Sequence, residues 1–102
     1  MNQTFCTFAE IIAYIEENYQ YTPTAFKNGE LLNAASQNQG SAKVLFFAQL
    51  NQMSKEDTLA LFAEHYQNVL ENPTADSHQN IRNIMKYGWE GISFDGVVLE
   101  KK

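Results

Sequence analysis

The sequence predicts an α+β fold, about four helices packed with a small antiparallel sheet made from two β-hairpins. Three observations carry this expectation. Thr7-x-x-Glu10 and Ser54-x-x-Asp57 each open a stretch of helically spaced apolar residues, and a hydroxyl followed three residues later by an acid marks a helix N-terminus. Asn28-Gly29 and Asp95-Gly96 each lie between short β-forming segments, a strong hairpin signal because these residues tolerate positive φ. The chain has 102 residues, enough for one domain spanning residues 1–102.

Local signals place each element. Helix one starts at the Thr7–Glu10 box and places Phe8, Ile11, Ile12, Ile15 and Tyr19 on one face. It ends near Tyr19, before the break at Tyr21-Thr22-Pro23. A hairpin turning at Asn28-Gly29 occupies Thr24 to Leu32. Asn33 to Gly40 is polar and small, hence a loop, and Ser41 is placed to cap the next helix. The run Val44 to Leu50 is apolar on every side, so periodicity alone does not separate buried helix from buried strand. Its Gly40-Ser41 start and its short link to Ser54 favour helix. The longest helix runs from Ser54 to the stop at Asn72-Pro73, with Leu59, Phe62, Ala63, Tyr66, Val69 and Leu70 on one face. Asp76 or Ser77 caps a last helix, His78 to Tyr87, and Gly88 suits the positive-φ position that ends it. Trp89 to Leu99 forms the second hairpin, and the two hairpins join into one sheet because a lone hairpin is marginal.

Composition limits function. Apolar residues make up 44% and aromatics 13%, which supports a packed core and excludes a disordered chain. The formal charge is −5, with only seven Lys and Arg, which argues against nucleic acid and anionic membranes as partners. Cys6 is the sole cysteine; it allows no internal disulfide, and its apolar neighbours suggest a small buried hydrophobe. No apolar run is long enough to span a bilayer, and Met1-Asn2-Gln3-Thr4 does not begin a signal peptide. The expected location is the cytoplasm. The start of a capped helix at Thr7 also leaves little room for a flexible secretion signal.

The order Phe26-x-Asn28-Gly29, Gln37-Asn38-x-Gly40-Ser41-x-Lys43, Tyr66-x-x-Val69-Leu70, His78-Gln79-Asn80-Ile81-Arg82 and Gly88-Trp89 resembles the HopJ type III effector family, from about Ala25 to Leu99. That family takes its title from a plant-pathogen protein delivered by a type III secretion apparatus, and the resemblance brings no established enzymatic activity. The chain departs from the family pattern where Ala42 stands in place of a cysteine, which removes a thiol mechanism. Ser36 and Ala63 stand where the pattern has glycine.

The densest polar chemistry lies between Asp76 and Trp89. His78 and Arg82 fall one turn apart on a helix shoulder, with Asn80 and Tyr87 on the other, and Gln79, Asn83 and Lys86 toward solvent. His78 and Arg82 could together hold an anion or carboxylate, in one network with Asp76 and Asn38. A plainer account pairs Arg82 with an acid such as Asp76 or Glu64 and has His78 donate to a carbonyl. Asn38, Gly40, Ser41 and Lys43 form a second candidate anion site at a helix start; there the plainer account is a Ser41 cap and an exposed lysine. A metal site would require His65, His78, Asp76 and Glu64 to converge, and two histidines in unrelated segments point away from one. Trp89 is expected to be largely buried as a plug between helix and sheet, although it could wall a pocket.

No complete catalytic, metal or nucleotide motif is present, and no cofactor is expected. The function these residues suggest is non-enzymatic binding of a small anionic ligand or a protein partner, through Asn38, Lys43, Asp76, His78, Asn80, Arg82 and Trp89. The rivals are a secreted effector acting on a host protein and an enzyme with a His78–Arg82 site.

Overall fold

The computed structural model describes residues 7–75 and 77–102. Cys6 and Asp76 lie outside the described residues. Thr7 caps α1 (Phe8–Asn18) with a complete capping box: its side chain accepts from the Glu10 N–H, and Glu10 Oε1 accepts from the Thr7 N–H at 3.0 Å. Ile11 and Ile15, one turn apart, are buried. The chain passes straight into a strand that the sequence did not signal, β1 (Tyr19–Tyr21), and then into the hairpin of β2 (Phe26–Asn28) and β3 (Leu31–Asn33).

The hairpin forms, but its turn is Gly29-Glu30, one residue later than Asn28-Gly29, because Asn28 pairs with Leu31. Gly29 has φ 64°, and a Cβ there would sit 2.5 Å from Tyr87 Cδ2, so the turn lies directly against the aromatic ring. Side chains alternate along a strand. Moving Asn28 into β2 therefore turns it inward beside Phe26, and both are buried while Lys27 is exposed.

The ambiguous apolar run is helical, within α2 (Gln39–Leu50). It lacks periodicity because it is covered on several sides. Ala42, Val44, Leu45, Phe47 and Ala48 are all buried, with α1, α3 (Lys55–Ala60) and β5 (Leu99–Lys101) against them. The ring of Phe47 meets those of Tyr14 and Tyr19 edge-on at 5.9 and 5.7 Å. The residue preceding the helix is Asn38, not Ser41, which falls inside the first turn.

The longest predicted helix is broken into α3 and α4 (Glu64–Glu71). Ser54 caps α3 as expected, accepting from the Asp57 N–H at 3.1 Å. The break has a packing cause. Leu59, Leu61 and Phe62 are all buried, yet at about 100° per residue positions 59 and 61 point to nearly opposite sides of a continuous helix. The turn lets all three reach the core and leaves Ala63 at φ 51°, ψ −121°. Leu70, assigned to the buried face, is 48% exposed.

The last helix is α5 (Gln79–Tyr87), and its N-cap is His78 rather than Ser77. Gly88 ends it with φ 66°, as expected. A short 3-10 turn then leads to β4 (Ile92–Phe94). The second hairpin does not form. β4 pairs with β2 to give the order β3-β2-β4, and β5 pairs with β1 in a separate sheet. The Asp95 N–H extends the β2–β4 ladder by donating to Ala25 O at 3.0 Å, and the Thr22 N–H donates to Val98 O at 2.8 Å. Asp95-Gly96 thus carries the chain from one sheet to the other instead of reversing it. Among the described residues the result is five α-helices with two small antiparallel sheets, and no helix is long and apolar enough to cross a membrane.

Candidate ligand-binding cleft

The N-terminal ends of α2 and α5 meet at a cleft of about 470 Å³, a size typical of small-molecule sites. Asn38, Gly40 and Ser41 line it from α2, and His78, Gln79, Asn80 and Ile81 from α5. Phe8, Leu31 and Phe62 supply apolar wall, and His65 enters from α4. Among the described residues the lining holds no Lys or Arg.

Both helices start the same way. Asn38 has φ 51° and His78 φ 54°, left-handed in each case, and neither side chain caps its helix. The N–H groups of Gly40, Ser41, Asn80 and Ile81 belong to first turns, where no helical acceptor exists. They also carry the positive end of the helix dipole. The rings of His65 and His78 lie 5.0 Å apart with 39° between their planes, and Phe8 packs edge-on to His65 at 4.8 Å. Partial burial, then the nearby His65 and Arg82, holds the His78 pKa below its ordinary value. Glu64 accepts from the Phe8 N–H at 2.7 Å, and this bond keeps its carboxyl below the usual range.

Beneath the cleft lies a buried asparagine network. Asn80 Nδ2 donates to Asn33 Oδ1 at 3.1 Å, and Asn33 Nδ2 donates back to Asn80 Oδ1 at 3.3 Å. Asn28 Nδ2 donates to both Asn80 Oδ1 and Asn80 O at 2.9 Å. Asn38 Nδ2 donates to Asn33 Oδ1 and links the network to the cleft lining. Asn28, Asn33 and Asn80 are each at most 4% exposed, and their amide groups are paired as buried polar groups require, except Asn28 Oδ1, which has no hydrogen-bond partner among the described residues. The network ties the hairpin to α5 and fixes where the two helix starts meet.

A family model described as HopJ type III effector protein matches residues 1–99. The chain belongs to the HopJ family. A crystal structure of a protein of unknown function, VPA0580, has a TM-score of 0.92 to it and is 47% identical, over 94% of this chain and 81% of that one. No curated protein matches.

Several residues of the HopJ motifs fall together and others do not. Asn38, His78 and Asn80 line the cleft. Lys43 lies elsewhere on α2: its Nζ is 2.7 Å from Glu16 Oε2 and 4.5 Å from the centre of the Tyr21 ring, so it is not the exposed lysine expected. Arg82 pairs with neither Glu64 nor the cleft. Its guanidinium donates to three carbonyls, Ser77 O, Pro73 O at 3.2 Å and Asn72 O at 2.9 Å, and so holds the turn between α4 and α5. Trp89 is half-buried rather than fully enclosed and donates to Met53 O at 2.9 Å, away from the cleft. Asn83, expected to face solvent, donates to Asn28 O at 2.8 Å. Asp76 is outside the described residues. Sequence reasoning missed Asn28 and Asn33, and it weighed His65 only as a metal ligand. The spacing Phe26, Asn28 was an available signal for Asn28, since alternate strand positions share a face.

Proposed function

We propose that this HopJ family member is a small binding protein whose cleft takes the anionic end of a small ligand. The observation that supports this reading is the meeting of two helix N-termini without side-chain caps at one cleft that also presents two imidazoles. First-turn N–H groups and the dipole favour an anion there, and neutral imidazole N–H groups add donors. Phe8, Phe62 and Ile81 would cover an apolar body attached to the anionic group. With a net charge of −5, long-range attraction is unfavourable, so affinity must come from these local donors. Among the described residues the cleft lining offers amide, hydroxyl and imidazole groups, which suit holding an anion.

The test is an amide NMR titration with sulfate, phosphate, acetate and a simple aromatic phosphomonoester, in the presence of a chelator. Saturable shifts centred on Gly40, Ser41, His65, His78 and Asn80 support the reading. Shifts that are absent, or scattered without saturation for every anion, overturn it. The family description favours a second reading, translocation as an effector. Fusing the whole chain to a reporter in a strain with a working type III apparatus tests it directly, and retention of the fusion in the bacterium counts against it.

A further inference from the structure

His65 lies in α4 and His78 just before α5, yet their ring centroids are 5.0 Å apart. Two imidazoles bound to one tetrahedral ion would place their centroids at about that separation, because each nitrogen sits roughly 2.0–2.1 Å from the metal and the ring centre about 1 Å behind it. Their close contacts among the described residues are with rings, Phe8 for His65 and each other, so the ring nitrogens are not committed to hydrogen bonds within that set. Glu64, beside His65, contributes a carboxylate charge. No group of three or more His, Cys, Asp and Glu gathers among the described residues, so within that set an ion held here has two protein ligands and open positions facing the cleft.

We propose that His65 and His78 form a two-imidazole site for a borderline divalent transition metal, Zn²⁺, Ni²⁺ or Cu²⁺, with its remaining positions left to water or to an exogenous donor in the cleft. Imidazole donors select these ions over Mg²⁺ and Ca²⁺, which prefer oxygen. His78 is held in the left-handed region, and that backbone conformation presents its ring to His65. The site shares the cleft with the proposed anion site but does not require an anion, and the anion titration with chelator present does not require the metal.

The experiment is calorimetric titration of the full chain, carrying Cys6→Ser to remove the competing thiol, with Zn²⁺ and Cu²⁺ in a non-coordinating buffer free of phosphate and sulfate. Imidazole nitrogen resonances are followed in parallel with Zn²⁺. One ion should bind per chain, both histidines should shift together, and Mg²⁺ should give no heat. His65→Gln and His78→Asn should each weaken binding by roughly tenfold or more, as loss of one of two ligands requires. Circular dichroism confirms that both variants fold. Equal affinity in wild type and either single variant, or binding that survives in the double variant, overturns the site.

Discussion

Asn80 and Asn33 exchange side-chain amide hydrogen bonds in both directions, at 3.1 and 3.3 Å, with both residues at most 4% exposed. The pair joins α5 to β3, and Asn28 adds a third amide from β2. Asn80→Ala removes a side-chain partner from Asn28 Nδ2, which keeps Asn80 O, and from Asn33, whose Oδ1 keeps Asn38 Nδ2 while its Nδ2 is left with only carbonyls at 3.5 Å. A buried donor left so poorly paired costs about 1–3 kcal/mol, and this variant should lose about that much in urea unfolding. Because the same partners are lost, Asn33→Ala in the Asn80→Ala background should cost less than it does alone. Strict additivity in that double-mutant cycle would show that the two amides act independently.

Ala63 occupies a backbone conformation, φ 51° and ψ −121°, that suits glycine and strains an L side chain. The strain is tolerated because the break places Leu61 and Phe62 in the core. Ala63→Gly should therefore stabilise the protein by about 1–2 kcal/mol, opposite to the usual effect of glycine next to a helix. Ala63→Val should destabilise it. Denaturation midpoints measured side by side give the sign, and a less stable glycine variant would show that the turn is unstrained.

Arg82 donates to Ser77 O, Pro73 O and Asn72 O, three carbonyls with a fixed fork among them. Arg82→Ala should lower stability by about 1–3 kcal/mol. Arg82→Lys should recover little, because an ammonium cannot reproduce the fork. Neither variant should abolish the response to anions, since Arg82 does not line the cleft. Parallel melts with and without sulfate check both points, and loss of anion stabilisation in Arg82→Lys would move the anion site toward Arg82.

What the sequence made legible was local. The Thr7–Glu10 box, the Ser54 cap and the Gly88 stop depend on a few adjacent residues, and each is found as read. What it concealed was decided at a distance. Asp95-Gly96 has the chemistry of a hairpin turn, but β4 pairs with β2 and β5 with β1, and no local signal reports such a choice of partner. The helix break at Leu61–Ala63 results from burial of neighbouring large residues rather than from a breaker in the sequence. The cleft was half visible. His78, Asn80 and Asn38 stood out as dense polar chemistry, but Arg82 was grouped with them by its one-turn spacing from His78 and Lys43 by its place near a helix start, and both are engaged elsewhere. His65 could not be paired with His78 without knowing how α4 and α5 pack.

His78 links the cleft to pH. Partial burial, His65 and Arg82 hold its pKa below the ordinary value, which is about 6.5 in an unfolded chain. As pH falls below that value, the unfolded chain takes up the proton before the folded protein does. The unfolded state then binds more protons, so stability falls with falling pH through the window from about 6.5 down to the lowered folded value. Above about pH 7.5 His78 contributes no slope. His78→Asn removes the imidazole and retains a residue that accepts the left-handed backbone. Melting temperatures of wild type and His78→Asn, taken between about pH 5 and pH 8, should agree at the alkaline end and diverge below neutrality, with the variant losing less. Sulfate, whose charge is constant over this range, should raise the His78 pKa by favouring the imidazolium if it occupies the cleft. It should therefore stabilise wild type more strongly as the pH falls, and do so less in His78→Asn. Superimposable pH profiles of the two proteins without sulfate would remove His78 as the group responsible, and equal sulfate stabilisation of both across the range would place the anion away from its ring.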